Sequence, residues 1–435
     1  MILSAYSPRA RRSGALIPLL LVLLGVFLAA VALAIDSSNL WNARTEMQNS
    51  VDAAALAGAL ALADDSLLSN KPGQMRGVIA QARQQAQQFA GSNHVQALPL
   101  ELDANLQHQP DGDIVFGYVE TPRAGFQPAP AGALESPLIN AVKITGRRTK
   151  ARGNPARLFM GRLFNMGATD VVADATAYLD REVIGFRPPG RQAAPLVPLA
   201  LLSDPQAIKE HSWEAQVVKP ASMPQGGGVD DYVFDAVRKK FRRVPAEAPK
   251  GDGIFEMEVR LPLQGSKEAD EDDDEEPNGV LLHLGNGDWS ALCRQIASGV
   301  IGEDLADWDG QFTLGWDNRL FVPGLYAVPD QQTTQFIQLL NALKALETTG
   351  EPRVWPLYSV LQPTGHQPQA MVGVRGFVAA RVVLVEMVSE PEPCVRLILQ
   401  PCQLVTATAL TDEARTAKNG VCLTNPYIAR LRLAD

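Results

Sequence analysis

From Gly14 to Ile35 the chain reads GALIPLLLVLLGVFLAAVALAI, twenty-two residues without a charge. Coiled as a helix, this run rises about 33 Å, enough for a hydrocarbon core of about 30 Å. Beyond Ile35 the helical period persists while the hydrophobicity falls. Leu40, Ala43, Met47, Val51 and Ala54 recur at steps of three and four and so share one face. Asn42, Thr45, Gln48, Asn49 and Asp52 occupy the other faces. The segment closes on DAAALAGALAL, which combines high helix propensity with small side chains. The pattern predicts one continuous helix, greasy at its start and alanine-surfaced farther out, on which another backbone can lie close.

Farther along, a second helix is predicted over 73–90, with Met75, Ile79, Ala82, Ala86 and Phe89 inward and Gly91 as its stop. Alternation marks strands at 113–120 and 140–147, separated by a loop rich in Pro, Gly and Ala. NPARLFMGRLF reads as a short helix with Pro155 in its first turn. DVVADATAYL reads as a strand whose small face carries Val171, Ala173, Ala175 and Ala177. Residues 185–195, GFRPPGRQAAP, read as a linker into a second domain over 196–435. That domain is expected to hold helices at Trp289–Ser298 and over QQTTQFIQLLNALKALE, and apolar strands at RVWPLYSVL, GFVAARVVLVEMV and CVRLILQPCQLVTATAL. The whole is an α+β architecture: an N-terminal transmembrane helix (14–35) continues into an amphipathic Ala-rich helix packed on a β-rich exported region. A pilin-like α+β domain is expected over 36–184.

Flanking charge sets the expected topology. Arg9, Arg11 and Arg12 precede the apolar run and Asp36 follows it, so the basic residues 1–13 stay in the cytoplasm and the bulk is exported. A cleaved signal peptide shares the basic start, and Ala32-Leu33-Ala34 resembles a cleavage site. The apolar stretch exceeds the usual signal core and its period runs onward, which favours an anchor; export follows from both readings. A net charge of -9 gives no footprint for nucleic acid. The four cysteines, Cys293, Cys394, Cys402 and Cys422, form no C-x-x-C pair, so an exported location suggests one or two disulfides rather than zinc.

Candidate chemistry is sparse, and no cofactor or metal is expected. The five histidines (94, 108, 211, 283 and 366) stand apart from one another, and His283 lies in an apolar strand. There is no G-x-S-x-G elbow. GNGDWS lacks the spacing of a phosphate loop and reads as a turn with Asp288 capping the next helix. The run EADEDDDEE, residues 268–276, reads as a solvated acidic loop. Lys143, Arg147, Arg148, Lys150, Arg152, Arg157 and Arg162 follow one another with no intervening acid. They suit lipid headgroups or an acidic partner; the plainer reading is a charged, solvated strand edge.

The run RRSGALIPLLLVLLGVFLAAVALAIDSSNLWNARTEMQNSVDAAALAGALAL resembles the N-terminal segment of TadE/TadG-like proteins of the Flp (tight adherence) pilus system. The matching positions are Arg11, Arg12 and Gly14, then Asp36, Trp41 and Arg44. Met47 and Gln48 follow, then the close from Asp52 through Ala53, Ala54, Ala55, Leu56 and Ala57 to Gly58. VKITGRRTKARGNPARLFMGRLFNMGATDVVADATAYL is also similar to TadG-like proteins. Two departures qualify what the resemblance implies. The fifth residue after Gly14 is Leu19, where processed pseudopilins of the family carry glutamate, so the span is expected to stay uncut. DSSN at Asp36 lacks the D-x-S-x-S pattern of the metal-binding domain found in some relatives.

The resemblance implies a single-pass inner-membrane protein that builds or assembles a pilus by packing against other subunits or itself, without catalysis. Two alternatives come from other classes. An anchored binding protein would gather aromatics such as Trp213, Trp308 and Trp316 in one groove. An exported hydrolase would gather acids or histidines with displaced pKa values in one concave site.

Overall fold

The computed structural model describes residues 16–69, 71–121, 125–164, 166–206, 209–218, 228–245, 251–264, 277–285, 287–364, 368–389, 393–412 and 424–434. Arg11, Arg12, Gly14, the acidic run 268–276 and Cys422 lie outside them. Two compact units emerge. One comprises the chain up to Ala55 with Ala86–Val115 and Lys143–Ala175; the other comprises Leu56–Gln85, Phe116–Val142 and Thr176–Asp435.

In the first unit the dominant element is α1 (Leu16–Leu60), a single helix of 45 residues. Its apolar start is exposed along its length, with Leu21, Val22, Val26 and Phe27 all open. Past Asp36 the pattern inverts: Ala43, Met47, Ser50, Val51, Ala54 and Ala55 are fully buried while Arg44, Thr45 and Gln48 face out. This is the predicted stripe. The same unit holds the last turns of α2 (Gln74–Ser92) and parts of three neighbouring strands, β1 (Ile114–Tyr118), β2 (Ala141–Arg148) and β3 (Val171–Asp180), in the order β3-β2-β1. Gly146 of β2 is the point of closest approach. A Cβ there would lie 2.6 Å from Val51 Cγ1 and 2.9 Å from Met47 Sδ, so only glycine admits the helix.

Two local expectations fail here. Phe89 is exposed and Ala90 takes the buried place, because the helix runs to Ser92 and its inward stripe passes through Ala82, Ala86 and Ala90. The segment after Pro155 is not a helix from that residue. Residues Ala156–Arg157 pair with Ala168–Thr169 as a small ladder, and only Gly161–Phe164 turns, as 3-10 helix. Ladder pairing fixes extended backbone where the local sequence favoured a helix start.

In the second unit, β4 (Val183–Phe186) pairs with short strands at Phe312–Thr313 and Ala409–Thr411. Ala194 and Val300 exchange both backbone hydrogen bonds, at 2.8 and 3.0 Å. Residues at both ends of the expected linker 185–195 thus take part in backbone pairing.

The main sheet contains β5 (Leu199–Leu202), β6 (Met257–Pro262), β7 (Gly279–Leu282), β8 (Leu320–Leu325), β9 (Arg353–Pro363), β10 (Gln369–Val388) and β11 (Cys394–Pro401). Its order is β6-β11-β10-β8-β7-β5-β9, and β10 also pairs with β9, which closes five of the strands into a ring. Successive residues of these strands face different cores. Leu199 and Leu201 join one, Ala200 and Leu202 the other. Burial on both faces explains why the strands read as unbroken apolar runs. Helices α3 (Trp289–Ser298) and α4 (Thr334–Thr349) cover the first core with Leu292, Ile296, Phe336, Leu339, Leu343 and Leu346. Asp288 caps α3 as expected, accepting from the Ser290 N–H. A last strand, β12 (Ile428–Ala434), pairs antiparallel with the unit's portion of β3.

Candidate assembly site

The residues singled out by sequence lie on α1, and the helix sorts them onto two faces. Asp36, Met47, Ala54, Ala55 and Gly58 are buried; Asp52, Ala53, Leu56 and Ala57 are half-buried; Trp41, Arg44 and Gln48 are exposed, as is Ile35 at the end of the apolar run. Trp41 is 69% exposed, a large apolar surface with no cover among the described residues.

Asp36 has the most specific environment. It is the first acid after the apolar run, and its carboxylate accepts three backbone N–H bonds. Oδ1 takes those of Phe159 (2.7 Å) and Met160 (2.9 Å), and Oδ2 takes that of Gly161 (2.6 Å). The acceptor thus caps the start of the 3-10 turn at Gly161 from another part of the chain. One turn later Asn39 Nδ2 donates to the Arg157 carbonyl at 3.0 Å. Farther up, Gln48 Nε2 donates to Asp52 Oδ1 (2.8 Å) and to the Asp174 carbonyl (3.2 Å). Polar ties at 36, 39 and 48 and small-residue packing at 43–55 together fix the helix against the strands.

The basic run does not behave as one solvated edge. Asp113, fully buried, pairs with Arg147 and Arg152. Its hydrogen bond to Arg152 holds that guanidinium above its ordinary pKa. Lys143 pairs with Asp174 at 3.2 Å. Arg148 is buried, donates to the carbonyls of Leu98 and Pro99, and is pushed below its ordinary range by burial. Arg157 and Arg162 remain exposed and make no ion pair among the described residues. Asp113 and Gly146 were not singled out beforehand; each takes its role from residues distant in sequence.

Tests of the other function classes lie in the second unit. Trp213 is buried in one core against Tyr427, Trp308 packs on the other beside Phe312, and Trp316 is exposed, so these aromatics do not line a common groove. Three acids with raised pKa values do gather: Asp230, Asp252 and Glu256, each shifted first by burial, Glu256 to about 8. Glu256 is wholly buried. Its Oε2 accepts from the Asp231 N–H and its Oε1 from the Tyr232 N–H and Gln400 Nε2, while Asp230 and Asp252 beside it are half-buried. Among the described residues Cys293 and Cys402 carry free thiols, raised by burial to about 11 for Cys293 and well above the ordinary range for Cys402. Cys394 is buried in β11.

Two family models match the chain in succession. Residues 14–61 match "Putative Flp pilus-assembly TadE/G-like", and residues 57–177 match "Putative Tad-like Flp pilus-assembly". Residues 14–177 are Tad-like. The matched stretch begins with the apolar run, contains Asp36, its three N–H partners and Gly146, and ends within β3. The Tad-like region is therefore the one that holds the α1 packing site. No curated protein and no solved structure matches the chain.

Proposed function

We propose that this chain is a membrane-anchored structural component of a Flp-type pilus or a related envelope secretion apparatus, working by subunit packing rather than catalysis. The observation that carries the reading is the two-sided character of α1. Its first half is an uncharged apolar run whose large side chains are exposed, and it suits lipid. Its second half presents small residues inward and Trp41 and Arg44 outward. The fixed side holds the exported body to the helix; the outward side is free to meet pilus subunits or a second copy. The N-terminus lies in the cytoplasm and the bulk outside the inner membrane.

A tagged copy captured from solubilised membranes tests this. Co-purification of the Flp pilin or the secretion ATPase is the expected result, and their absence from a well-folded, membrane-extracted preparation counts against it. Replacing both Ala55 and Gly58 with leucine overpacks the small-residue surface. Pilus assembly should then fail; unchanged assembly would remove the packing argument.

A further inference from the structure

Beside the polar ties of Asp36 and Asn39 lies a groove of about 630 Å³, lined among others by Gln96, Arg148, Asn154, Arg157 and Arg162 and by no acid. Arg148 is 97% enclosed, and its Nε has no hydrogen-bond partner. The same loop carries two large apolar side chains in the open, Phe159 (71% exposed) and Met166 (63%), joined through the Met166 N–H to the Gly161 carbonyl at 2.9 Å. Exposed apolar residues interleaved with Arg157 and Arg162, which make no ion pair among the described residues, match the composition of a membrane-interface contact.

Height along the helix decides the occupant. Asp36 and Asn39 bind the loop at 157–161, and they lie one and four residues past Ile35, about 2–6 Å beyond the end of the apolar run at 1.5 Å per residue. The headgroup layer on each side of a bilayer is about 5–8 Å deep. The loop is thus held at the level of the phosphates. Resting on the anchor reading given above, we propose that this groove receives the phosphate of an anionic phospholipid on the exported face of the membrane, with Phe159 and Met166 set among the lipids beside it. Arg157 and Arg162 supply the charge, and Arg148, which also faces Glu101 and Glu46, lines the back of the groove.

The test uses the full chain in nanodiscs of phosphatidylcholine and phosphatidylglycerol, with photoreactive p-benzoylphenylalanine placed at 159, 166, 24 or 237. Position 24 lies in the apolar run and position 237 is an open site elsewhere, 95% exposed. Lipid adducts are expected at 159, 166 and 24 and not at 237, with phosphatidylglycerol enriched at 159. Arg157→Gln and Arg162→Gln should each lower that enrichment roughly fivefold, while Arg157→Lys keeps it. Adducts at 24 with none at 159 or 166 overturn the proposal and leave the anchor intact. No adduct at 24 overturns the anchor as well. Equal labelling of both lipids, indifferent to the arginines, overturns the phosphate groove.

Discussion

The α1 seam of the first unit and the ringed sheet of the second unit are packed by different means. Around α1 the contact at Gly146 joins Ala43, Ala54 and Ala55 with Met47, Val51 and Leu100, and the aromatic side chains of the sheet cores are absent from it. The sheet fills its two cores with Trp213, Trp355, Tyr358, Phe186, Phe312 and many leucines and valines. Bulky cores gain stability from area removed from water, whereas a small-residue seam gains little area and depends on close approach and on polar ties such as Asp36. The difference separates their duties: a volume-filled sheet holds itself together, and a narrow helix surface specifies where another backbone is allowed.

Mutations sharpen this contrast. The largest loss is expected from Trp355→Ala, which empties a fully buried site and removes the Nε1 bond to the Ala380 carbonyl (3.1 Å); about 3–5 kcal/mol should be lost in denaturant unfolding. A pH effect of similar size should come from Glu256. Its folded carboxyl, pushed up by burial to about 8, keeps a proton that the unfolded chain releases above about 4.5. Stability should therefore fall as pH rises through that window, by up to about 1.4 kcal/mol per pH unit, and level off above it. Melting at pH 5 against pH 8 reads the effect, and Glu256→Gln should shrink the difference.

Gly146→Val is the matching test on the seam. It should cost about 1–3 kcal/mol despite adding apolar area, because the new carbon meets Val51 and Met47; a stabilised variant would refute the close-approach reading. The smallest stability effect belongs to Trp41→Ala, within about 0.5 kcal/mol since the ring is exposed. Its expected consequence is instead a lower yield of co-purified pilus components.

How far the sequence carries depends on the range of each interaction. The stripe on α1 follows from neighbours three and four residues apart and the cap at Asp288 from the residue just before α3, and both stand where the pattern puts them. The importance of Asp36 came through family resemblance, but its partners at 159–161 lie more than a hundred residues away and no local signal announces them. Gly146 reads as an ordinary strand glycine until α1 is laid across it. The segment after Pro155 has a sound helix start by propensity, and ladder pairing with 168–169 overrides it. In the main sheet, strand positions were legible from apolar runs, while the closure of β10 on β9 depends on long-range pairing that periodicity does not encode.

Intact mass spectrometry of the chain purified from washed membranes is the most direct test of a helix that both spans lipid and supports the exported body. A mass that retains residues 14–35, from protein that resists alkaline extraction, is the predicted result. A soluble product beginning near Ile35 would contradict it.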